Sequence, residues 1–363
     1  MKLRPIAFAC GASLAIAAGL FMMIQPQSPR TPAQEMNASS RAPSSAPPLQ
    51  DPCHELHKLI CAQTGVTRDP TGSVRSDIDG EQMAIDLFSK IAQENPDFTP
   101  DQVNEKLAEE IYTPRNRNRI ESAFRWVRHS IEKFIDSQPD STFTHWEKRQ
   151  LKHRLKQIEL QLPPPISAYA DEPDLITKND VYYERLPDGK MRLRVGGAYF
   201  FTAKSWFNTV FTMAHELAHG IDPCEVRSAR LAFPAYDRLS ACFMQQKLVS
   251  LRKNRFECGA NDELSETFAD WVAVHVTAQT LRTYSTEFQA PALINSMVNS
   301  VRDLCEPPEA AQEPDGYHPP AAVRIDKIFG RNPQIREVLG CEPNTMTYCS
   351  FDFRIGNSKA GAP

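Results

Sequence analysis

The residues most able to do chemistry in this chain lie in the pentapeptide His215-Glu216-Leu217-Ala218-His219. Histidines four residues apart share one face of a helix, where two imidazoles can bind a single zinc ion. Glu216 projects beside that position and can accept a proton from water as a general base. The neighbouring residues are mostly apolar, and buried imidazoles are costly unless a metal or a partner satisfies them. The pattern therefore predicts a zinc site on a buried helix spanning about residues 205–220.

A catalytic zinc ion of this type needs a third protein ligand and an open position for water. No histidine follows His219 at the short spacing of the three-histidine class, but a later helix carries Glu266 and Asp270 four residues apart on one face. We expect Glu266 to bind the metal and Asp270 to orient a ligand imidazole. Glu263 is the rival ligand, and it has threonine rather than a carboxylate four residues later.

The order and spacing of these groups resemble the neprilysin (endothelin-converting-enzyme) family of zinc metallopeptidases. The resemblance rests on His215-Glu216-x-x-His219-Gly-Ile-Asp, on Glu266-x-x-x-Asp270, and on a late His318 followed six residues later by Arg324. It covers about residues 179–329, under half of the chain, and it implies a thermolysin-like zinc domain. Members of that family are much longer, so an enclosed chamber that selects substrates by size is not implied here.

The resemblance also implies roles for the remaining residues. Glu266 would be the third zinc ligand and Asp270 the support of a zinc-binding histidine, while His318 would stabilise the tetrahedral intermediate and Arg324 would fix the acidic residue and the substrate. A donor imidazole such as His318, aimed at the developing oxyanion, would lower the barrier to attack. Asn179 is the candidate for binding the substrate backbone on an edge strand, although Asp180 stands where the family has alanine.

The elements that must position these residues are mainly helical. Capping boxes at 99–102 and 144–147 predict two helix starts, and a longer helix is expected after Thr113-Pro114. Its buried face is predicted from apolar residues three and four apart: Ile120, Phe124, Val127, Ile131 and Phe134. Strand patterns at 180–185 and 190–195 flank the turn Leu186-Pro-Asp-Gly189, which predicts a β-hairpin before the zinc helix. The predicted fold class is α+β, mainly helical, with a thermolysin-like zincin core and an N-terminal helical region.

The chain divides into five predicted segments. Residues 1–24 form a signal peptide or membrane anchor, because two basic residues precede twenty uncharged, mostly apolar ones. Residues 25–51 form a Pro/Ser-rich linker that we expect to be disordered. A helical region at 52–165, a zinc metallopeptidase domain at 166–350 and a flexible tail at 351–363 follow.

The composition limits the location and the partners. Among the 363 residues are nine cysteines, of which eight follow the export segment, and none of these forms a Cys-x-x-Cys pair. An even number in an exported chain predicts four disulfides rather than a thiolate zinc site, and 105 pairings are open. We expect Cys224, Cys242 and Cys258 to brace the connection between the two metal-bearing helices, and Cys341 and Cys349 to fix the C-terminal segment. A formal net charge of −4 argues against a general nucleic-acid binder.

These observations predict an exported zinc metalloendopeptidase that acts on peptides or small proteins with one catalytic Zn²⁺ ion. Its location would be periplasmic, extracellular or, if residues 5–24 remain as an anchor, at a membrane with the catalytic domain outside the cytoplasm. Two alternatives stay open. One is an inactive zinc-binding relative that serves as a binding module, and the other is a zinc amide hydrolase acting on cell-wall peptides.

Overall fold

The structure is a computed structural model of the chain. It describes residues 53, 55–62, 67–68, 74–75, 80–163, 169, 172–201, 205–249, 263–284, 290–305, 318–342 and 348–352. The predicted export segment and linker lie outside these residues, as does most of the predicted tail. Among the described residues, no helix has the length and apolar character needed to cross a bilayer.

The first half of the described chain is mainly helical, as predicted. Helix α1 (Leu56–Ala62) and a short ladder of β1 (Thr67–Arg68) and β2 (Val74–Arg75) precede four longer helices. These are α2 (Gly80–Glu94), α3 (Pro100–Ile111), α4 (Pro114–Ser137) and α5 (His145–Gln157). Both predicted capping boxes are present, at Thr99 of α3 and Thr144 of α5. In α4 the predicted apolar stripe faces the core, although Phe134 is only partly buried.

A three-stranded sheet follows, with the strand order β3-β5-β4. Strands β4 (Val181–Arg185) and β5 (Met191–Val195) are antiparallel and form the predicted hairpin. Its turn places Gly189 at a φ of +85°, a left-handed conformation that glycine adopts without strain. Strand β3 (Ile158–Gln161) pairs in parallel with β5, although these residues lie in the predicted helical region 52–165. A four-residue strand carries too few periods to be told from the end of a helix, so only pairing with β5 decides its conformation.

The second half consists of helices that surround the predicted metal residues. They are α6 (Trp206–His219), α7 (Pro223–Ser228), α8 (Pro234–Gln245), α9 (Glu263–Tyr284), α10 (Ala290–Ser300) and α11 (Pro333–Leu339). A π-helix at Val323–Phe329 precedes α11. Helix α6 packs most extensively against α9 and also against α4, so the two halves share one continuous hydrophobic core. The fold is therefore α+β and mainly helical.

Three disulfides join distant parts of the described chain. They link Cys53 to Cys341, Cys61 to Cys305, and Cys242 to Cys349, and Cys224 is also disulfide-bonded. The expectation that Cys242 braces the connection between the metal-bearing helices is wrong, because it pairs with the C-terminal segment. Cys341 and Cys349 do fix that segment, as expected. These disulfides indicate an oxidising, exported environment.

Candidate metal site

The site is built on α6, which is buried on nearly every side. Ser205 caps the helix by accepting a hydrogen bond from the backbone N–H of Asn208 at 3.0 Å. The apolar residues before His215 pack between α4 and α9, which explains why a helix with so little polar surface is stable here. His215 itself is only 6% exposed, and Glu216 and His219 are partly buried. The predicted helix therefore exists and holds its polar residues away from bulk water.

Three predicted ligands bring their side-chain atoms together. His215 Nε2 lies 3.3 Å from His219 Nε2 and 3.0 Å from Glu266 Oε2, and His219 Nε2 lies 3.6 Å from Glu266 Oε1. A tetrahedral zinc ion with bonds of about 2.0–2.1 Å separates its ligand atoms by about 3.3 Å. The two imidazoles and the carboxylate, which turns Oε2 toward His215 and Oε1 toward His219, therefore have donor types and separations compatible with such an ion. Helix α6 supplies the histidines, and the first turn of α9 supplies the carboxylate.

His215 is oriented by a carboxylate, as the spacing of Asp270 predicted. Its Nδ1 lies 3.0 Å from Asp270 Oδ1, on the side of the ring opposite Glu266. Asp270 is 1% exposed and receives two hydrogen bonds from Arg324, at 2.7 Å and 2.8 Å. Because a carboxylate can only accept, Nδ1 of His215 donates, and when the ring is neutral its Nε2 carries the lone pair that a metal needs.

His219 is oriented by a different set of groups. Its Nδ1 lies 3.1 Å from the hydroxyl oxygen of Ser265 and 3.5 Å from Asp222 Oδ2. Ser265 donates its hydroxyl hydrogen to the same Asp222 oxygen. Asp222 is the N-cap of α7 and accepts from the backbone N–H of Glu225 through its other oxygen.

The edge strand β4 meets the general-base candidate. The backbone N–H of Tyr183 donates to Glu216 Oε2 at 2.8 Å, and the Tyr183 ring stacks against His219 with centroids 6.3 Å apart. Burial raises the pKa of Glu216, and the two neighbouring imidazoles only partly offset this effect. A carboxylate with a raised pKa is a stronger proton acceptor than one in water, which suits a general base.

His318 reaches the same cluster from the C-terminal part of the chain. Its Nε2 lies 3.0 Å from Glu266 Oε2, and its ring stacks on His215 with centroids 6.1 Å apart. The ligand-type atoms of His215, Glu266 and His318 all lie within 4.8 Å of one another. His318 is therefore close enough either to bind a metal or to contact a group that the metal holds.

The charges of the cluster support one another. Burial raises the pKa of Glu266, but hydrogen bonds with His215 and His318 outweigh it and hold the pKa well below its usual range. Burial also acts to raise the pKa of Asp270, but Arg324 and His215 outweigh this effect and lower the pKa to about 2. Both carboxylates are thus ionised at neutral pH, and a cation is favoured between them and the imidazoles.

The structure brings together seven of the eight predicted site residues: His215, Glu216, His219, Glu266, Asp270, His318 and Arg324. Asn179 lies outside this group, before β4, where it is exposed and its backbone N–H donates to Glu81 at 3.0 Å. Tyr183, four residues later on β4, contacts Glu216 and His219. Glu263 begins α9 one turn before Glu266.

Sequence reasoning missed three contributors: Tyr183, Asp222 and Ser265. Tyr183 acts through its backbone, which no side-chain pattern can reveal. Asp222 could have been found from its position, since Asp-Pro after the zinc helix is a helix-capping signal. Comparisons of the sequence with protein-family models and with curated proteins give no match.

Proposed function

We propose that this chain is an exported zinc-dependent metalloendopeptidase with a thermolysin-like arrangement of its catalytic groups. The observation that carries the proposal is the convergence of His215, His219 and Glu266, whose ligand-type atoms lie 3.0 to 3.6 Å apart, with Glu216 beside them. The resemblance to the neprilysin family supports the same reading. A structural zinc site needs no general base, so the placement of Glu216 favours catalysis.

The residues would divide the reaction as follows. His215, His219 and Glu266 would hold the zinc ion, which would supply Lewis acidity toward water and toward the carbonyl oxygen of the scissile peptide. Glu216 accepts the proton of the attacking water and passes it to the leaving amine. The N–H of Tyr183 holds one oxygen of Glu216 and so orients the carboxylate. His318 donates a hydrogen bond to the oxygen on which negative charge develops.

The substrates would be peptides or short exposed segments of proteins. Strand β4 is an edge of the sheet, and an extended segment next to an edge strand can bind through main-chain hydrogen bonds. The proposed location is periplasmic, extracellular or at a membrane, with the catalytic domain outside the cytoplasm. A reducing compartment would disfavour the three disulfides that join distant parts of the described chain.

A second candidate function is that of a zinc-binding module without peptidase activity. The observation that favours it is the distance of 3.0 Å between His318 Nε2 and Glu266 Oε2, which is also a ligand-to-ligand separation. If His318 bound the metal, the position that a catalytic site keeps open for water would be filled. X-ray absorption of the zinc-loaded protein distinguishes the two functions, because the module requires three histidine ligands and the peptidase two.

The proposal is tested by incubating the purified zinc-loaded protein with a mixed peptide library and identifying cleavage products by mass spectrometry. We expect cleavage that a chelator abolishes and added zinc restores. Glu216→Gln should keep one zinc ion per chain and lose about 10²–10⁴-fold in cleavage rate, the usual contribution of a general base. Glu109→Gln, on the exposed face of α3, is the matched control. Cleavage that continues at the wild-type rate in Glu216→Gln, or in the presence of the chelator, would contradict the proposal.

A further inference from the structure

Ser265 occupies an unusual place in the cluster. It lies in the first turn of α9, directly before the proposed ligand Glu266, and is only 5% exposed. Its hydroxyl oxygen is the closest hydrogen-bond partner of His219 Nδ1, at 3.1 Å, whereas the nearest oxygen of Asp222 is at 3.5 Å. Hydrogen bonds weaken at the longer separation, so the hydroxyl is the main partner of this ring nitrogen.

The number of hydrogens fixes the direction of each bond. A serine hydroxyl has one hydrogen to donate, and a carboxylate has none. Because Ser265 gives its hydrogen to Asp222, its oxygen can only accept from His219. The neutral imidazole must then carry its hydrogen on Nδ1, which leaves the lone pair on Nε2. That nitrogen faces His215 and Glu266, where a metal ion would lie.

Asp222 is itself held in place from two sides. Its second oxygen accepts from the backbone N–H of Glu225 at 2.7 Å, which fixes the carboxylate at the start of α7. Glu225 pairs with Arg154 at 2.8 Å, and Arg154 also donates to the carbonyl of Gly220 at 2.8 Å. The oxygen that receives the Ser265 hydrogen is therefore part of a rigid turn directly after the zinc helix.

We propose that Ser265 is a positioning residue, which accepts a hydrogen bond from His219 Nδ1, is oriented by Asp222 and thereby sets how tightly the metal is held. This inference rests on the metal binding in the proposed function. Two neighbouring residues in the first turn of α9 then act on the metal site in different ways. Glu266 binds the metal, and Ser265 orients the ligand His219. Removal of such an outer hydrogen bond typically weakens metal binding 10–100-fold.

The test compares Ser265→Ala with the wild type and with Thr277→Val. Thr277 is a fully buried residue of the same helix whose hydroxyl oxygen has no hydrogen-bond partner among the described residues, so its loss is a control for a missing hydroxyl. Zinc affinity is measured by competition with a chromophoric chelator. We expect about 10–100-fold weaker binding for Ser265→Ala, wild-type affinity for Thr277→Val, and recovery to within a few-fold in Ser265→Thr, which keeps the hydroxyl.

A second measurement separates positioning from general loss of stability. The Nδ1–H resonance of His219 in ¹⁵N-histidine-labelled, zinc-loaded protein should shift in Ser265→Ala and remain in place in Thr277→Val. Equal zinc affinity in Ser265→Ala and wild type, or an unshifted resonance, would overturn the inference while leaving the peptidase intact. A wild type that binds no zinc would instead overturn the proposed function, and with it the metal-affinity part of the inference.

Discussion

The two histidines of the candidate metal site lie one turn apart on α6, yet different parts of the protein support them. His215 contacts the carboxylate of Asp270, which is paired with Arg324 from the C-terminal π-helix. His219 contacts the hydroxyl of Ser265, which is paired with Asp222, only three residues further along the chain. One support is thus an ion pair between α9 and the C-terminal π-helix, and the other is a hydrogen-bonded relay between α9 and the start of α7.

The support of His215 continues to the N-terminal end of the described chain. Helix α1 packs against the π-helix that carries Arg324, and the backbone N–H of His57 donates to Asp326 of that helix at 2.7 Å. Two disulfides, Cys53–Cys341 and Cys61–Cys305, attach α1 to the segments on either side of the π-helix. His215 is therefore supported through segments from both ends of the described chain, whereas the support of His219 comes from α7 and α9, with Tyr183 of β4 and Arg154 of α5 beside it.

The largest effect is expected from Asp270→Asn. The substitution removes the negative charge that Asp270 presents to His215 and to the guanidinium of Arg324, which is 13% exposed. Breaking a buried ion pair costs about 3–5 kcal/mol, and loss of the outer hydrogen bond weakens metal binding 10–100-fold. Zinc titration and thermal unfolding measure the two effects. The control Asp136→Asn removes a surface ion pair with Lys152 and should change neither zinc affinity nor thermal stability. Equal zinc affinity and stability of the two variants would contradict a role for the Asp270 ion pair.

A smaller effect on the metal is expected when Cys53 and Cys341 are both replaced by serine. Loss of this disulfide should lower the free energy of unfolding by about 2–5 kcal/mol and weaken zinc binding several-fold through the position of Arg324. In ¹⁵N-histidine spectra of the zinc-loaded protein, the Nδ1–H resonance of His215 should shift while that of His219 stays in place. Equal shifts of the two resonances would contradict the prediction that this disulfide supports His215 and not His219.

The smallest effect is a difference in acid sensitivity. The pKa of Asp270 is about 2 in the folded chain because Arg324 and His215 outweigh its burial, and this lies below its unfolded value. Asp270 therefore contributes stability above about pH 4, and this contribution is lost as the pH falls through 2. In chelator-treated protein, wild type and Ser265→Ala should lose stability in this range, because a serine hydroxyl does not titrate. Asp270→Asn should lose less stability, and a loss as steep as that of the wild type would contradict the assignment.

Much of the fold could be predicted from local pattern. The capping boxes of α3 and α5, the apolar stripe of α4 and the hairpin of β4 and β5 all follow from residues close together in the sequence. Strand β3 could not be predicted, because its four residues become a strand only by pairing with β5, thirty residues later. The disulfide partners were equally hidden, since eight cysteines allow 105 pairings and sequence spacing does not give distances between them.

The candidate site divides in the same way. The sequence by itself determined the face of α6 that carries His215 and His219, since a helix of 3.6 residues per turn brings residues four apart together. The spacing of Glu266 and Asp270 likewise placed a ligand and its supporting acid on one face of α9. Only the tertiary structure decided that Ser265 and Asp222 contact His219, and that the backbone of Tyr183 contacts Glu216. Those contacts join separate elements through a hydroxyl, a cap and a backbone N–H, and such partners are chosen by packing and not by local periodicity.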